Sequence, residues 1–540
     1  MAPEGSAAPA AVPRIRRDTV GDALRRSATR FRDREALVFG DRTWSYAALD
    51  LAADRVARRL LAVGLKFGDR VLAYGRNSDG YLIAWLGCAR AGLVHVPANY
   101  ALTASELEYI ARQSGASALL TQPALRVPAD QVRDRLGIAV AGTLDGGEGC
   151  GELDVVSTAL DPRWSSRSDE LPGEDVHDDH VAQLLYTSGT TGAPKGAMMT
   201  QRSLISQYMS CIVDLELAGT DRVLGSLPLY HSAQMHVFMV PALLVGAWTI
   251  LIEAPEPARV LKLIEQHRVT SYFAPPTVWI GLLRHPDFGR RDLGSLQKIY
   301  YGASIMPVPV LHELRERLPG VRPFNCYGQS EIAPLATVLK PEEHDDRPGS
   351  VGRPVLNVVT RLVDAEMRDV APGARGEIVH RSPQLLVGYW GMPEESAHAF
   401  EGGWFHSGDV ATADAEGFLT IVDRTKDLIN TGGTLVASRE VEEVLFTHPA
   451  VAEVAVIAVP DPRWIEAVAA VVVLRAEVRM TAEEAERELV AHARAHLAPF
   501  KVPKRVILAD ALPRNTAGKV LKRELRARFA STGDAALGHA

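Results

Sequence analysis

Helix-period and strand-period patterns alternate along the chain. Leu51, Val56, Leu60 and Leu61 share one broad apolar face, and Gly64 ends the pattern, which predicts a helix from Asp50 to Val63. Arg70–Tyr74 reads as a strand, Tyr81–Ala91 as a helix, Val94–Pro97 as a strand, Ser105–Ser114 as a helix and Ala116–Thr121 as a strand. Strand, helix and strand at this spacing predict parallel sheets joined by helical crossovers. The rhythm returns over Arg259–Phe273 and Val308–Asn325. The longest apolar run, Val237–Ile252, is broken by Pro241 and Gly246 and is shorter than the roughly 20 residues of a bilayer span. It reads as a buried helix followed by a buried strand.

After Gly376 the texture changes to short strands with turns, such as Gly376–Arg381 and Phe418–Asp423. A compact unit follows. Ser438 is placed to cap a helix carrying Val441, Val444 and Leu445. Val451–Val459 and Ala467–Leu474 read as strands, and Thr481 with Glu484 forms a capping box. The expected fold is α/β. A large domain (14–425) combines parallel-rich sheets flanked by helices with a small β-barrel-like part, and a small mobile α+β domain (426–540) follows it. Residues 1–13, rich in Ala and Pro, read as a disordered lead.

Composition narrows the functional classes. The chain has 540 residues, 47% apolar and 23% charged, with a net charge of −7. That is ordinary for a globular protein and gives no general attraction to nucleic acid. Cys88, Cys150, Cys211 and Cys326 are scattered without a CxxC pair, which argues against a disulfide framework or a cysteine zinc site and fits a reducing cytoplasm. The final residues, Leu537-Gly538-His539-Ala540, match neither a peroxisomal nor a prenylation signal. His177-Asp178-Asp179-His180 has two histidines three apart, but no third and fourth zinc ligand is evident. A solvated approach to the next strand is the simpler reading.

That next strand leads into Tyr186-Thr187-Ser188-Gly189-Thr190-Thr191-Gly192-Ala193-Pro194-Lys195-Gly196. The glycines let backbone N–H groups approach an anion, the hydroxyls of Thr187, Ser188, Thr190 and Thr191 add neutral donors, and Lys195 adds a point charge. It is not a Walker A loop, because the position five after Gly189 is Pro194. Composition alone supports anion binding or a Gly/Thr-rich surface turn.

The full pattern resembles the signature loop of the adenylate-forming superfamily: acyl-CoA synthetases, peptide-synthetase adenylation domains and firefly-type luciferases. Further motifs of that family stand in order: Pro228-Leu229-Tyr230-His231, Tyr301-Gly302-Ala303-Ser304, Tyr327-Gly328-Gln329-Ser330-Glu331, Trp404-Phe405-His406-Ser407-Gly408-Asp409, Asp423-Arg424-Thr425-Lys426-Asp427 and Pro513-Arg514-Asn515-Thr516-Ala517-Gly518-Lys519. Within the family, the resemblance is greatest to bacterial fatty-acyl-CoA synthetases.

The resemblance implies ATP, Mg²⁺ and coenzyme A as the small molecules handled, and a role for each motif. Thr187, Ser188, Gly189, Thr190, Thr191, Gly192 and Lys195 hold phosphates. Glu331 holds Mg²⁺, and Ser330 reaches the α-phosphate. Gly302, Ala303, Ser304, Tyr327, Gly328 and Gln329 surround the adenine, while Asp409 and Arg424 contact the ribose. Lys519 joins the carboxylate to the α-phosphate, and with Glu331, Lys195 and His231 it makes up the expected catalytic set. Lys426 is the hinge of the small domain, and Gly432 and Gly433 line a passage for pantetheine.

The stretches expected to line the acyl pocket, after His231, over Tyr272–Trp279 and over Tyr300–Ser304, are apolar and aromatic and carry no Arg or Lys. Leu229-Tyr230-His231-Ser232 stands where adenylation domains carry an Asp for an amine. These stretches favour an apolar acid, and the resemblance to bacterial fatty-acyl-CoA synthetases implies a medium- or long-chain fatty acid, converted through acyl-AMP to acyl-CoA. The alternatives are an aryl or other carboxylate, acyl-AMP delivery to a carrier protein, and a non-catalytic nucleotide-binding scaffold. Peripheral membrane contact through a lipid substrate and a homodimeric assembly are left open. Ala437-Ser438 departs from the proline that many members carry there, which puts the shape of the passage in doubt.

Overall fold

A computed structural model describes residues 16–146, 153–165, 171, 175–187, 193–304, 306–424, 427–431, 434–461, 465–515 and 520–529. Among them the strands form four sheets of nine, seven, five and four strands. In the seven-stranded sheet Leu153–Asp154, Val140–Thr143, Ala116–Thr121, Arg70–Tyr74, Val94–Ala98 and Val181–Thr187 run parallel in that spatial order, and Lys195–Thr200 closes the edge antiparallel. The nine-stranded sheet has a parallel centre, which includes Arg222–Gly225, Ser271–Phe273, Lys298–Gly302 and Arg322–Gly328, and an antiparallel strand pair at each edge. Parallel neighbours require crossovers, and helices such as Asp79–Ala91 provide them.

Where the sequence predicts a small barrel-like part, the described residues form a four-stranded antiparallel sheet of Val359–Val363, Gly376–Arg381, Phe405–Ala413 and Leu419–Arg424, whose edge strands do not pair to close it. The compact C-terminal unit is built on Val451–Asp461 paired with Ile465–Leu474, with Ser438–Phe446 and Ala482–His496 among its helices. Its separate core contains Ile429, Val441, Leu445, Val456, Val468 and Leu489.

Most predicted elements are present, with shifted ends. The first helix runs over Tyr46–Ala62 because the Ser45 hydroxyl accepts the Ala48 amide at 3.2 Å. The second starts at Asp79, capped by Ser78, and ends on left-handed Gly92. Leu51, expected on the apolar face, is 38% exposed. The run after His231 begins as a π-helix, Ala233–Met239, before the α-helix Val240–Val245 and the strand Trp248–Leu251. Ser438 is the first residue of its helix and not the cap. Its amide and hydroxyl both donate to Asp423 Oδ2, at 2.6 and 2.7 Å. The Thr481–Glu484 capping box is present.

Among the described residues no helix is long and apolar enough to cross a membrane. Cys88, Cys211 and Cys326 are free thiols. In the segment His177–His180, the His180 Nδ1 accepts the His177 amide, Asp178 accepts the Asp18 amide and Asp179 pairs with Arg202. These groups serve the local chain path.

Candidate active site

The phosphate-loop residues described are its two stems. Val181–Thr187 and Lys195–Thr200 form an antiparallel pair, with Thr187 opposite Lys195 and Tyr186 opposite Gly196. The stem is fastened from outside: Tyr109 donates to the Pro194 carbonyl at 3.0 Å, and the Tyr186 hydroxyl donates to Gln113 Oε1. Gln113 in turn donates to the Trp390 carbonyl at 2.7 Å. Beneath it, buried Gln183 joins His95 Nδ1 at 3.0 Å and His236 Nε2 at 2.7 Å, and His236 Nδ1 meets the Tyr208 hydroxyl at 2.8 Å. Burial pushes both histidines down to about 3, so they are neutral hydrogen-bonding spacers near pH 7.

Glu331 approaches from the other large sheet. It lies on the short 3₁₀ turn Ser330–Ile332 that follows the strand Arg322–Gly328. Its Oε1 accepts the Thr187 hydroxyl at 3.0 Å and the Tyr389 hydroxyl at 3.3 Å. Burial first, and then the Glu331 charge, push the Tyr389 hydroxyl far above its ordinary pKa, so it remains a donor. Lys195 Nζ stands 5.5 Å from the Tyr389 ring centroid. Ser330 Oγ meets Ser232 Oγ at 2.9 Å, which ties the turn to the segment bearing His231.

Two fully buried amides hold the chain beyond the turn. Gln384 Nε2 donates to the Leu335 carbonyl at 2.9 Å and to Gln207 Oε1 at 2.6 Å, and Gln207 Oε1 also accepts the Leu335 amide at 3.3 Å.

Buried Gly302 ends the neighbouring strand Lys298–Gly302, and Ala303 and Ser304, both exposed, follow it. Cβ at Gly302 would lie 2.2 Å from the Cys326 carbonyl oxygen, and Ala303 has φ +62°, an uncommon backbone state for a residue with a side chain. Tyr327 donates to Asp409 Oδ2 at 2.7 Å. Asp409, whose place after Gly408 suggests a turn, lies inside the strand Phe405–Ala413, opposite Arg424 in register. Gln329 Nε2 is buried and donates to none of the described residues. An unmet buried donor beside these residues suits a ligand acceptor.

Gly328 has φ +156°, and Cβ there would lie 1.8 Å from the Pro334 carbonyl oxygen. Gly328→Ala is expected to cost about 3 kcal/mol, read as a lowered urea midpoint. Gly320→Ala is the control, since its φ is +83° with open space around it; its expected cost is about 1 kcal/mol.

The stretches assigned to the acyl group pack as rings. Phe238 stacks on Phe273 with centroids 4.2 Å apart and lies 5.0 Å from Tyr300, which lies 5.1 Å from Phe324. The Tyr300 hydroxyl donates to the Leu215 carbonyl at 2.9 Å and the Trp279 indole to the Tyr300 carbonyl at 3.2 Å, so their polar atoms are satisfied.

The arrangement thus offers a hairpin stem, a carboxylate joined to it, and a second carboxylate held by a tyrosine. The AMP-binding enzyme family matches residues 24–390, and the AMP-binding enzyme C-terminal domain matches residues 440–519. The chain belongs to the AMP-binding enzyme family. This AMP-binding enzyme is a ligase of the adenylate-forming superfamily.

It is similar to a feruloyl-CoA synthase of Amycolatopsis sp, with 38% identity over 494 residues that span 92% of this chain and 96% of that protein. It is also similar to a long-chain-fatty-acid–CoA ligase of Bacillus subtilis, with 33% identity, covering 94% of both chains. Among solved structures, ATP-bound MatB from Rhodopseudomonas palustris superimposes with TM-score 0.85 at 30% identity over 95% of this chain and 99% of that one. The anthranilate CoA ligase AuaEII with anthranoyl-AMP superimposes with TM-score 0.87 at 26% identity, covering 95% and 97% of the two chains.

Of the residues singled out in the sequence, the structure brings Thr187, Lys195, Glu331 and Ser330 together, and Tyr327 with Asp409. His231 is half-buried, and its Nδ1 accepts the Ala233 amide at 3.4 Å. Ser188, Gly189, Thr190, Thr191, Gly192, Lys426, Gly432, Gly433 and Lys519 lie outside the described residues. Tyr389, Gln384 and Asn77 escaped the sequence reading. Asn77 accepts the Leu229 amide at 2.7 Å and donates to the Leu227 and Ile252 carbonyls, so it holds the segment before His231. Gly388-Tyr389-Trp390 carried the one usable signal, an aromatic pair behind a glycine; Gln384 and Asn77 carried none.

Proposed function

We propose that this AMP-binding enzyme is an acid–CoA ligase that joins an apolar carboxylic acid to coenzyme A in two steps. First the carboxylate oxygen attacks the α-phosphorus of ATP, and pyrophosphate leaves. Then the sulfur of coenzyme A attacks the acyl carbonyl, losing its proton, and AMP leaves. The observation that carries this reading is the 3.0 Å bond between Thr187 and Glu331, which joins the anion-facing hairpin of one sheet to the acid-bearing turn of the other.

Roles follow from the chemistry of each group. The loop Thr187–Gly192 and Lys195 hold the phosphates. Asp409, steadied by Tyr327, offers acceptors to ribose hydroxyls, with Arg424 opposite. Ser330 reaches the α-phosphate, and Gly302, Ala303 and Ser304 leave room for the purine. Glu331 suits a magnesium ion. Its carboxylate takes two neutral hydroxyls on one oxygen and forms no ion pair with the described residues. Magnesium prefers one carboxylate plus phosphate oxygens and water, and when bound it neutralises phosphate charge. Lys519 supplies the cation between the carboxylate and the phosphate, two groups that otherwise repel. Residues 14–425 form the large domain and 426–540 the small one, which turns about Lys426 and brings Gly432 and Gly433 to the thiol passage.

A compact aromatic acid, of the class that the feruloyl-CoA synthase relative is named for, is the first reading, supported by that relative over 92% of this chain. A medium- or long-chain fatty acid is the second reading, supported by the fatty-acid ligase relative over 94% of the chain. Pyrophosphate exchange over a panel of acids, with and without coenzyme A, tests both. Exchange with aromatic acids plus thioester product is expected. Exchange confined to long-chain fatty acids gives the second reading. Exchange without thioester points to a carrier protein as acceptor, and no exchange with any acid leaves a nucleotide-binding scaffold.

A further inference from the structure

Lys195 and Glu331 carry opposite charges and face one site, yet they form no ion pair. Tyr389 is in contact with both. Its hydroxyl donates to Glu331 Oε1 at 3.3 Å, and its ring face lies 5.5 Å from Lys195 Nζ. The backbone around it is fastened on two sides. The Trp390 amide donates to the Gly196 carbonyl at 2.8 Å, and Ala197 bridges Tyr389 in antiparallel fashion. The Leu386 amide donates to the Glu331 carbonyl at 2.8 Å. The Tyr389 amide itself is held by Ser396 Oγ at 2.8 Å. One short segment thus laces the lysine strand to the glutamate turn and points an aromatic ring between them.

We propose that Tyr389 is a positioning residue that keeps the Lys195 ammonium and the Glu331 carboxylate apart, so that the carboxylate is free for a divalent cation and the ammonium for phosphate. The proposal rests on the reading of Glu331 given above. A lysine and a glutamate at one half-buried site gain by collapsing onto each other, and a collapsed pair offers neither charge to a ligand. The ring removes that option by occupying the space and by holding the cation over its face. The hydroxyl adds a second restraint. With Thr187 it fixes Oε1, while Oε2 takes no hydrogen bond from the described residues. A carboxylate oriented by neighbours in this way binds metal without first having to reorder.

Titration calorimetry of the full chain with ATP, with and without magnesium, separates the two restraints. For the wild type, magnesium should tighten ATP binding. Tyr389→Phe keeps the ring and loses the hydroxyl. Its affinity for ATP alone should stay within about twofold, while the tightening by magnesium falls about three- to tenfold. Its thermal midpoint should stay near wild type. Tyr389→Leu removes both restraints and should weaken binding in both conditions. If Tyr389→Phe keeps the whole magnesium effect, or weakens binding equally with and without the metal, the proposal is overturned. If the wild type shows no magnesium effect, the role of Glu331 falls as well, a result distinct from failure of Tyr389 alone.

Discussion

Lys519→Ala should lower adenylate formation by about two to three orders of magnitude while leaving the thermal midpoint unchanged. The reason is electrostatic. The attacking carboxylate and the polyphosphate are both anions, and five-coordinate phosphorus gathers more negative charge than the ground state. A cation between them aligns the attack and offsets that charge where water is excluded. The structure shows why folding should be spared. The base of the segment that bears Lys519 is closed by a bridge between Arg514 and Val520 and by the Leu521 amide donating to the Pro513 carbonyl at 2.8 Å. The helix after it, Lys522–Phe529, is anchored by Lys522 to Glu442 at 2.7 Å and by Arg526 to Asp427. None of these contacts uses the Lys519 side chain. Pyrophosphate exchange measures the loss, and a variant that forms adenylate at the wild-type rate removes Lys519 from the chemistry.

Lys426→Pro should separate the two half-reactions. Proline fixes φ and removes an N–H, so a hinge that must change its dihedrals is locked in one state. Pyrophosphate exchange should stay within about threefold of wild type, and thioester formation should fall at least about a hundredfold. The neighbourhood of the hinge strengthens this expectation. Asp423 on its near side accepts both the amide and the hydroxyl of Ser438, and Lys522 donates to that same hydroxyl at 2.6 Å. Asp427 on its far side pairs with Arg526. The helix Ser438–Phe446 is also fastened back, because Arg439 donates to the Ile421 carbonyl. Contacts from Asp423 and Ile421 to Ser438 and Arg439 span position 426, so a rotation about that position would have to exchange them for others. Loss of both activities, or of neither, counts against Lys426 as the hinge.

The legibility of this protein in its sequence divides along a physical line. Elements whose signal is local were readable. Arg70–Tyr74, Ala116–Thr121 and Gly376–Arg381 appear as strands with the ends their apolar runs suggest. The Thr481–Glu484 box caps its helix because both partners lie three residues apart. Errors appeared where a distant partner outbids the local one. Ser438 looks like a cap, but Asp423, fifteen residues away in the chain, takes its hydroxyl and its amide. Asp409 looks like a turn residue after Gly408, but pairing with the strand Leu419–Arg424 draws it into a sheet and Tyr327 takes its carboxylate. Leu51 fits the apolar face by period, yet it is 38% exposed.

The same line runs through the site. Motif chemistry singled out the hairpin loop, Glu331, Asp409 and Lys519 as candidates, because each needs a particular side chain in a particular short context. For the candidates the structure describes, folding supplies the partners. Thr187 and Glu331 are 144 positions apart and meet because two sheets present the ends of their strands to each other. Gln384 and Gln207 are 177 apart and hold the Glu331 turn through buried amides. Tyr389 contacts both Lys195 and Glu331 because its segment pairs with the edge strand Lys195–Thr200. Local sequence encodes which groups are present and which backbone shapes they favour. Distances between groups far apart in the chain, and therefore which charges are kept separate and which are joined, come from packing, where sheet edges and buried hydrogen bonds leave few alternatives.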